Sequence, residues 1–221
     1  MQLELKDIKK DFVSKRGRYY KCLEGINFMI ESGELYLLYG ASGNGKTTLL
    51  NIMTGMLRPS AGQVLLDGKP IQSMKEHELA LLRRKHFGYA MQNASLLASL
   101  TVYENVALPM NFFAKSEPSV IEEQLKKAGL WKVRDSYPSE LSGGEYRRCT
   151  IVRALINQPD FLFADEPTAN LDDENAKIII EILDELRKKG TAVIVATHDK
   201  RFMEKEHSGV VSRFLVTTVL E

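Results

Sequence analysis

Three glycines within six positions, Gly40, Gly43 and Gly45, stand between two apolar segments and set the strongest limit on what this chain can become. Lacking a Cβ, glycine loses the most backbone freedom on ordering, so the stretch makes a poor strand and a poor helix interior. Residues 34–39 before it (ELYLLY) are a short apolar run bounded by Gly33 and Gly40, the pattern of a central strand. Residues 47–56 after it (TTLLNIMTGM) carry Leu49, Leu50, Ile52 and Met53 at helical spacing. Lys46 and Thr47 complete G-x-x-x-x-G-K-[ST] with Gly40 and Gly45. A plain glycine-rich turn is the alternative, and the match at every fixed position in a strand–loop–helix setting weighs against it. The segment reads as a phosphate cradle, in which backbone N–H groups and the positive end of a helix converge on anionic oxygens. Lys46 is expected to reach the β- and γ-phosphates of a nucleotide, and the Thr47 hydroxyl to ligate Mg²⁺.

A second chemical segment is FLFADE, an apolar strand that ends in Asp165 and Glu166. Alone it is no more than a strand end and turn. Beside a phosphate loop, Asp165 fits the carboxylate that such enzymes place on the Mg²⁺ side, and Glu166 fits a base that polarises a water. A third is Leu141-Ser142-Gly143-Gly144-Glu145. Ser142 with Glu145 three residues on is a capping box that starts a helix. Two glycines in the first turn weaken that helix, and they make sense if phosphate oxygens approach the backbone there.

The remaining chain gives the setting. Its 221 residues suffice for one sizeable α/β domain with room for an inserted subdomain. A net charge of +1 points to neither nucleic acid nor an anionic membrane surface. No apolar run approaches the ~20 residues of a membrane span, and no signal-peptide core opens the chain. Cys22 and Cys149 lack metal-ligand spacing and read as reduced thiols. Strand signals dominate up to about residue 65. Residues 93–140 turn helical, with breaks expected at Pro109, Pro118 and Pro138. Strand signals return at 161–166 and 191–199. Between them, residues 172–190 carry helix grammar, with Asp172 as N-cap, Lys188 and Lys189 near the end and Gly190 at the C-terminal cap.

These segments together resemble the ATP-binding subunit of the ATP-binding cassette (ABC) transporter family, along nearly the whole chain. GASGNGKT resembles the Walker A motif, FLFADE the Walker B motif with its catalytic glutamate, and LSGGE the family signature usually ending in glutamine. Gln92 falls at the Q-loop position, ANLD at 169–172 resembles the D-loop, and His198 in ATHD matches the switch histidine. The resemblance implies an α/β fold: a P-loop NTPase core with an antiparallel β subdomain and an inserted helical subdomain. The core would take about 1–92 and 141–221, and the helical insert about 93–140. It implies ATP and Mg²⁺ as cofactors. Catalytic roles fall to Lys46, Gln92, Glu166 and His198, and metal ligation to Thr47, Gln92 and Asp165. Nucleotide contacts fall to Gly40, Ala41, Ser42, Gly43, Asn44, Gly45, Lys46, Thr47 and Thr48, and to Ser142, Gly143, Gly144, Glu145 and Asp172. An aromatic stacks on adenine; Phe12 matches that place, with Tyr19 and Tyr20 as nearby competitors. After His198 the family usually continues through a strand and a tight turn, whereas here VVSRFLVTTVLE follows, so a shorter or different C-terminal edge is expected.

Within the family, residues 88–110 and 163–173 look most like the macrolide-export, lipoprotein-release and cell-division ATPases. The expected function is ATP-driven, head-to-tail dimerisation that energises export or release by transmembrane permease subunits, at the cytoplasmic face of the plasma (inner) membrane. Alternatives are a mechanical, non-transporting complex of the cell-division type and a soluble ATPase acting on DNA or ribosomes. The last is disfavoured because no sustained heptads or basic tract separate Lys46 from Ser142, so no nucleic-acid partner is expected.

Overall fold

The computed structural model of the protein describes residues 1–13, 17, 19–91, 96–111, 117–204 and 211–215. In chain order the strands are β1 (Gln2–Val13), β2 (Tyr19–Glu31), β3 (Leu35–Tyr39), β4 (Ala61–Leu66), β5 (Lys69–Pro70), β6 (Phe87–Ala90), β7 (Phe161–Asp165), β8 (Ala192–Thr197) and β9 (Val211–Leu215). The helices are α1 (Lys46–Met53), α2 (Glu76–His86), α3 (Val102–Asn111), α4 (Pro118–Lys127), α5 (Gly143–Leu155), α6 (Asp173–Lys188) and the single turn α7 (Arg201–Glu204). Two sheets organise them. One is antiparallel in the order β2-β1-β4-β5, and the other is parallel in the order β6-β7-β8-β3-β9.

β7 and β8 are buried along their whole length. A parallel strand covered on both faces has no polar side to show, and that is why both read as unbroken apolar runs. Their alternation survives in the packing. Phe161, Phe163, Ile194 and Ala196 point to the side that holds α1 and the antiparallel sheet, meeting Leu49, Leu50, Leu3 and Ile8. Leu162, Ala164, Val193 and Val195 point to the opposite side, onto Ile151 and Leu155 of α5 and Ile179, Ile180 and Leu183 of α6. α5 also faces a third cluster with Cys149 and Val152, against Val102 and Val106 of α3 and Ile121 and Leu125 of α4. One helix thus belongs to two cores.

Three sequence expectations are corrected or refined. The break at Pro109 does not occur, since α3 runs through it. A helical proline forfeits one N–H bond and costs about 3 kcal/mol. Here it lies in the last turn of a helix whose Val102, Val106 and Ala107 are buried, so packing outweighs the loss. Pro118 and Pro138 begin α4 and a short 3₁₀ turn, where the missing donor is not needed. At the C-terminal end, Val211–Leu215 pairs parallel with β3 and extends the central sheet. Cys22 and Cys149 are both free and buried, and burial pushes the Cys149 thiol up to about 12.

α5 lies close against the sheet because of Gly88 in β6. A Cβ at that position would stand 2.4 Å from the backbone oxygen of Ala154. Gly88→Ala is therefore expected to cost about 1–3 kcal/mol through overpacking, read as a lower denaturant midpoint at unchanged slope. A midpoint equal to the wild type would mean α5 yields without cost.

Candidate nucleotide site

β3 ends at Tyr39, β7 at Asp165 and β8 at Thr197, and the parallel register sets these ends side by side: Tyr39 pairs with Thr197, and Asp165 with Ala196. Each strand then delivers a loop to the same edge of the sheet, where ligands of open parallel sheets bind. A cavity of about 310 Å³ opens there. Its wall joins Phe12, Tyr20 and Cys22 to Ser42, Gly43, Gly45, Lys46, Thr47 and Thr48, and to Asp165, Glu166 and His198.

The two loop glycines inside this wall have separate reasons to be glycine. Gly45 sits at φ 78° directly before α1, and a Cβ there would come within 3.0–3.2 Å of Leu23 and Cys22. Gly43 sits at φ 87° with nothing within 4 Å of where its Cβ would be. It lines the open cavity, the arrangement a backbone needs if phosphate oxygens are to approach. Lys46 is buried, and its Nζ donates to the carbonyls of Gly40 at 2.8 Å and Ala41 at 3.0 Å. The same Nζ lies 3.7 Å from Glu166 Oε1. Asn44 N donates to the carbonyl of Ala41 and closes the loop.

The carboxylates face this lysine. Thr47 Oγ1 donates to Asp165 Oδ2 at 2.7 Å, which joins the start of α1 to the end of β7. Asp165 Oδ1 is buried without a hydrogen-bond partner. Burial raises the Asp165 pKa, and adjacent Glu166 adds to this, against the Thr47 hydrogen bond and the charges of Lys46 and Arg147. An orphaned buried carboxylate oxygen beside a hydroxyl suits a hard cation, and Mg²⁺ typically takes one or two carboxylates plus phosphate oxygens. The donor set present fits that ion.

Glu166 adopts a left-handed φ of 46°, and its N–H donates to the carbonyl of Ala196 at 2.8 Å. Such strain in a bulky residue persists only where the surroundings impose it. Its carboxylate is held from two sides, by Thr197 Oγ1 at 3.1 Å and His198 Nδ1 at 2.8 Å. The His198 side chain is 63% exposed while that of Glu166 is 8% exposed, so the histidine reaches a buried carboxylate from the open side. Phe12 and Tyr20 stack with ring centroids 5.5 Å apart and both line the cavity. Tyr19 is not part of its lining; its hydroxyl donates to Asp11.

Other expected residues lie elsewhere. Gln92 falls outside the described residues. Ser142, Gly143, Gly144, Glu145 and Asp172 do not line the cavity. Ser142 caps α5 in a reciprocal box: its Oγ donates to Glu145 Oε2 at 2.7 Å and accepts from Glu145 N at 3.3 Å. Gly143 has room around it. A Cβ on Gly144 would stand 2.0 Å from Asn175 Oδ1. Gly144 therefore has a packing reason of its own, the close approach of α6, and does not require a phosphate to explain it. Asp172 caps α6 through Asn175 N at 2.8 Å.

Two contributors escaped the sequence reading. Thr197, buried at the end of β8 directly before His198, donates a hydrogen bond to Glu166; a hydroxyl before the histidine was its only signal. Asn175 joins the Asp172 carboxylate, Gly144 and Arg148, whose Nη1 donates to it at 2.7 Å. Its position inside a helix gave no hint of this.

The sequence model of the family described as ABC transporter matches residues 23–169. LolD, the lipoprotein-releasing system ATP-binding protein of Buchnera aphidicola subsp. Schizaphis graminum, is 40% identical over 207 residues, covering 92% of this chain and 90% of that protein. BceA, the bacitracin export ATP-binding protein of Halalkalibacterium halodurans, is 39% identical over 202 residues, covering 89% and 79%. The dimeric ATP-binding cassette MJ0796, solved in a post-hydrolysis state with ADP and Pi, superposes with a TM-score of 0.83 at 34% identity, covering 90% of this chain and 89% of that one.

The raised Asp165 pKa carries a stability consequence. A carboxyl whose folded pKa lies above its unfolded value penalises folding once ionised, and the penalty fades as pH falls through the folded pKa. Asp165→Asn is therefore expected to raise the melting temperature of the nucleotide-free protein at neutral pH. The gain should shrink on acidification as the buried carboxyl takes up its proton. A variant that melts lower at neutral pH would show that the Thr47 bond outweighs burial.

Proposed function

The chain belongs to the ABC transporter ATP-binding family and is an ATPase, and from that premise we propose that two copies close head to tail around two ATP molecules. Each ATP would be held by residues 40–48 of one copy and by residues 142–145 of the other. The observation that carries this reading is the division of the motifs. The cavity gathers the phosphate loop with Asp165, Glu166 and His198, and leaves Ser142, Gly143 and Gly144 outside it. A second candidate phosphate-binding segment that lies outside the cavity of its own chain is accounted for if it serves a neighbour's.

Within each site the residues divide the work. Phe12, with Tyr20 stacked beside it, offers a face for adenine. Gly43 and the N-terminus of α1 cradle the phosphates, and Lys46 exchanges its loop carbonyls for phosphate oxygens, a charge-assisted gain. Thr47 and Asp165, together with Gln92, would hold Mg²⁺, which supplies neutralisation of phosphate charge when bound. Glu166 accepts a hydrogen bond from the attacking water and aims it at the γ-phosphate, while Thr197 and His198 fix its carboxylate. His198, reaching in from the exposed side, senses that phosphate. Asp172 approaches the partner copy at the closed interface.

ATP would thus close the dimer and hydrolysis reopen it, with the motion passed to transmembrane permease subunits at the cytoplasmic face of the plasma membrane. Among the described residues no helix is long and apolar enough to cross a membrane. We assign residues of about 93–140 to a helical lobe, inserted between catalytic segments 1–92 and 141–221, whose apolar cluster is shared with Cys149, Val152 and Ile156 of the latter. A groove of about 380 Å³ lies where this lobe meets the catalytic segments, lined by Met56, Phe87, Tyr89, Leu108, Pro109 and three arginines. Its mixed apolar and cationic wall suits a cytoplasmic helix of the permease. The similarity to LolD and BceA supports export or release as the work performed.

A mixed dimer tests the shared site. One chain carries Lys46→Ala and the other Ser142→Arg. Combined, they leave one composite site whole and one doubly broken, whereas either variant alone forms only damaged sites. The mixture is expected to recover ATP-driven dimerisation and part of the turnover that both single variants lose. Identical behaviour in every combination would mean that the sites are not shared between copies.

A further inference from the structure

Outside all of the motif positions, a single guanidinium joins the two loops that present the proposed catalytic groups. Arg201 opens α7. Its Nε donates to Asp199 Oδ1 at 3.0 Å and Oδ2 at 2.9 Å, and its backbone N donates to Asp199 Oδ1 at 2.9 Å. Its Nη2 donates to the carbonyl of Thr168 at 3.3 Å, and its Nη1 to the carbonyl of Leu171 at 3.3 Å and to Asp173 Oδ1 at 3.0 Å. We propose that Arg201 is a positioning residue for hydrolysis, which clamps the loop at 168–172 to the loop at 197–199 so that Glu166, His198 and Asp172 are set as one unit.

The contacts form a continuous path. Thr168, fully buried, donates from Oγ1 to Asp199 Oδ2 at 2.5 Å, so both loops meet on one carboxylate. Asp199 N donates to Thr197 Oγ1 at 3.0 Å, and Thr197 Oγ1 in turn donates to Glu166 Oε2 at 3.1 Å. Hydrogen bonds in series polarise one another, so a guanidinium at one end steadies the carboxylate at the other. On the second loop, the two carbonyls that Arg201 holds bracket Ala169 and Asn170, and Asn170 is in the left-handed region at φ 61°. A non-glycine residue there needs outside support. Burial pushes the Asp199 carboxyl up, but the Arg201 and Thr168 hydrogen bonds outweigh it and hold its pKa at about 2, so the clamp stays charged at working pH. The Asp173 arm is 98% exposed and adds little. A planar fork with several donors spans these partners; an ammonium does not.

This inference rests on the hydrolytic reading of Glu166 and His198, and the experiment separates the two. Steady-state ATPase kinetics and thermal melts are compared for the full chain, Arg201→Ala, Arg201→Lys, Thr168→Val and Glu166→Gln. Arg201→Ala is expected to lower kcat per folded molecule about tenfold with KM for ATP changed less than about twofold, and Arg201→Lys to stay within about threefold of it. Thr168→Val, which cuts the same path without touching the arginine, is expected to lower kcat in the same direction, and it stands in if the alanine variant fails to fold. Wild-type kcat per folded molecule in Arg201→Ala, or in Thr168→Val should the former not fold, would overturn the clamp if Glu166→Gln is silent. Wild-type turnover in Glu166→Gln would overturn the hydrolytic reading and the clamp with it.

Discussion

In the central sheet Tyr39 pairs with Thr197 and Asp165 with Ala196, so three parallel strands finish at one level. Everything at the site follows from that register. The phosphate loop leaves from the first strand, the two carboxylates from the second, and the threonine–histidine pair from the third. The period of a strand is two residues, so a slip of one would turn Asp165 and Thr197 to the wrong faces. The slip is prevented by the core itself: β7 and β8 are buried on both sides, and each alternate side chain is matched to a different set of helices.

The site carries charge where the fold would prefer none. Lys46, Asp165 and Glu166 are all buried, and Asp165 Oδ1 has no partner. Buried charges are tolerated only when paired and hydrogen-bonded. Here the pairing is close but incomplete, and the missing partners are of the kind that a nucleotide and its cation supply. Strain accumulates in the same place, with Glu166 and Asn170 both at positive φ. Stability is given up at the edge of the sheet and recovered from three apolar clusters away from it.

The start of α5 meets local demands within its own chain, and the proposed dimer would add an intermolecular one. Ser142 and Glu145 cap the helix within their own chain, and Gly144 admits the side chain of Asn175. These contacts order the segment within its own chain. A preorganised helix N-terminus pays less ordering entropy on binding, which is useful for a surface proposed to open and close with each ATP.

Much of this protein was legible in the order of its residues. The phosphate loop, the strand ending in Asp165 and Glu166, the caps at Ser142 and Asp172 and the buried runs of β7 and β8 are local patterns, set by backbone freedom, side-chain period and capping chemistry. The path of α3 through Pro109 was not legible, because propensity argued for a break and only burial against α5 overrules it. Nor was the second reason for Gly144, which depends on a helix 31 positions away from it meeting it through Asn175 Oδ1. Thr197, Asn175 and Arg201 likewise carry no motif. Their roles come from parallel pairing and loop proximity, contacts between residues distant in the chain, and a sequence does not display these until the sheet has formed.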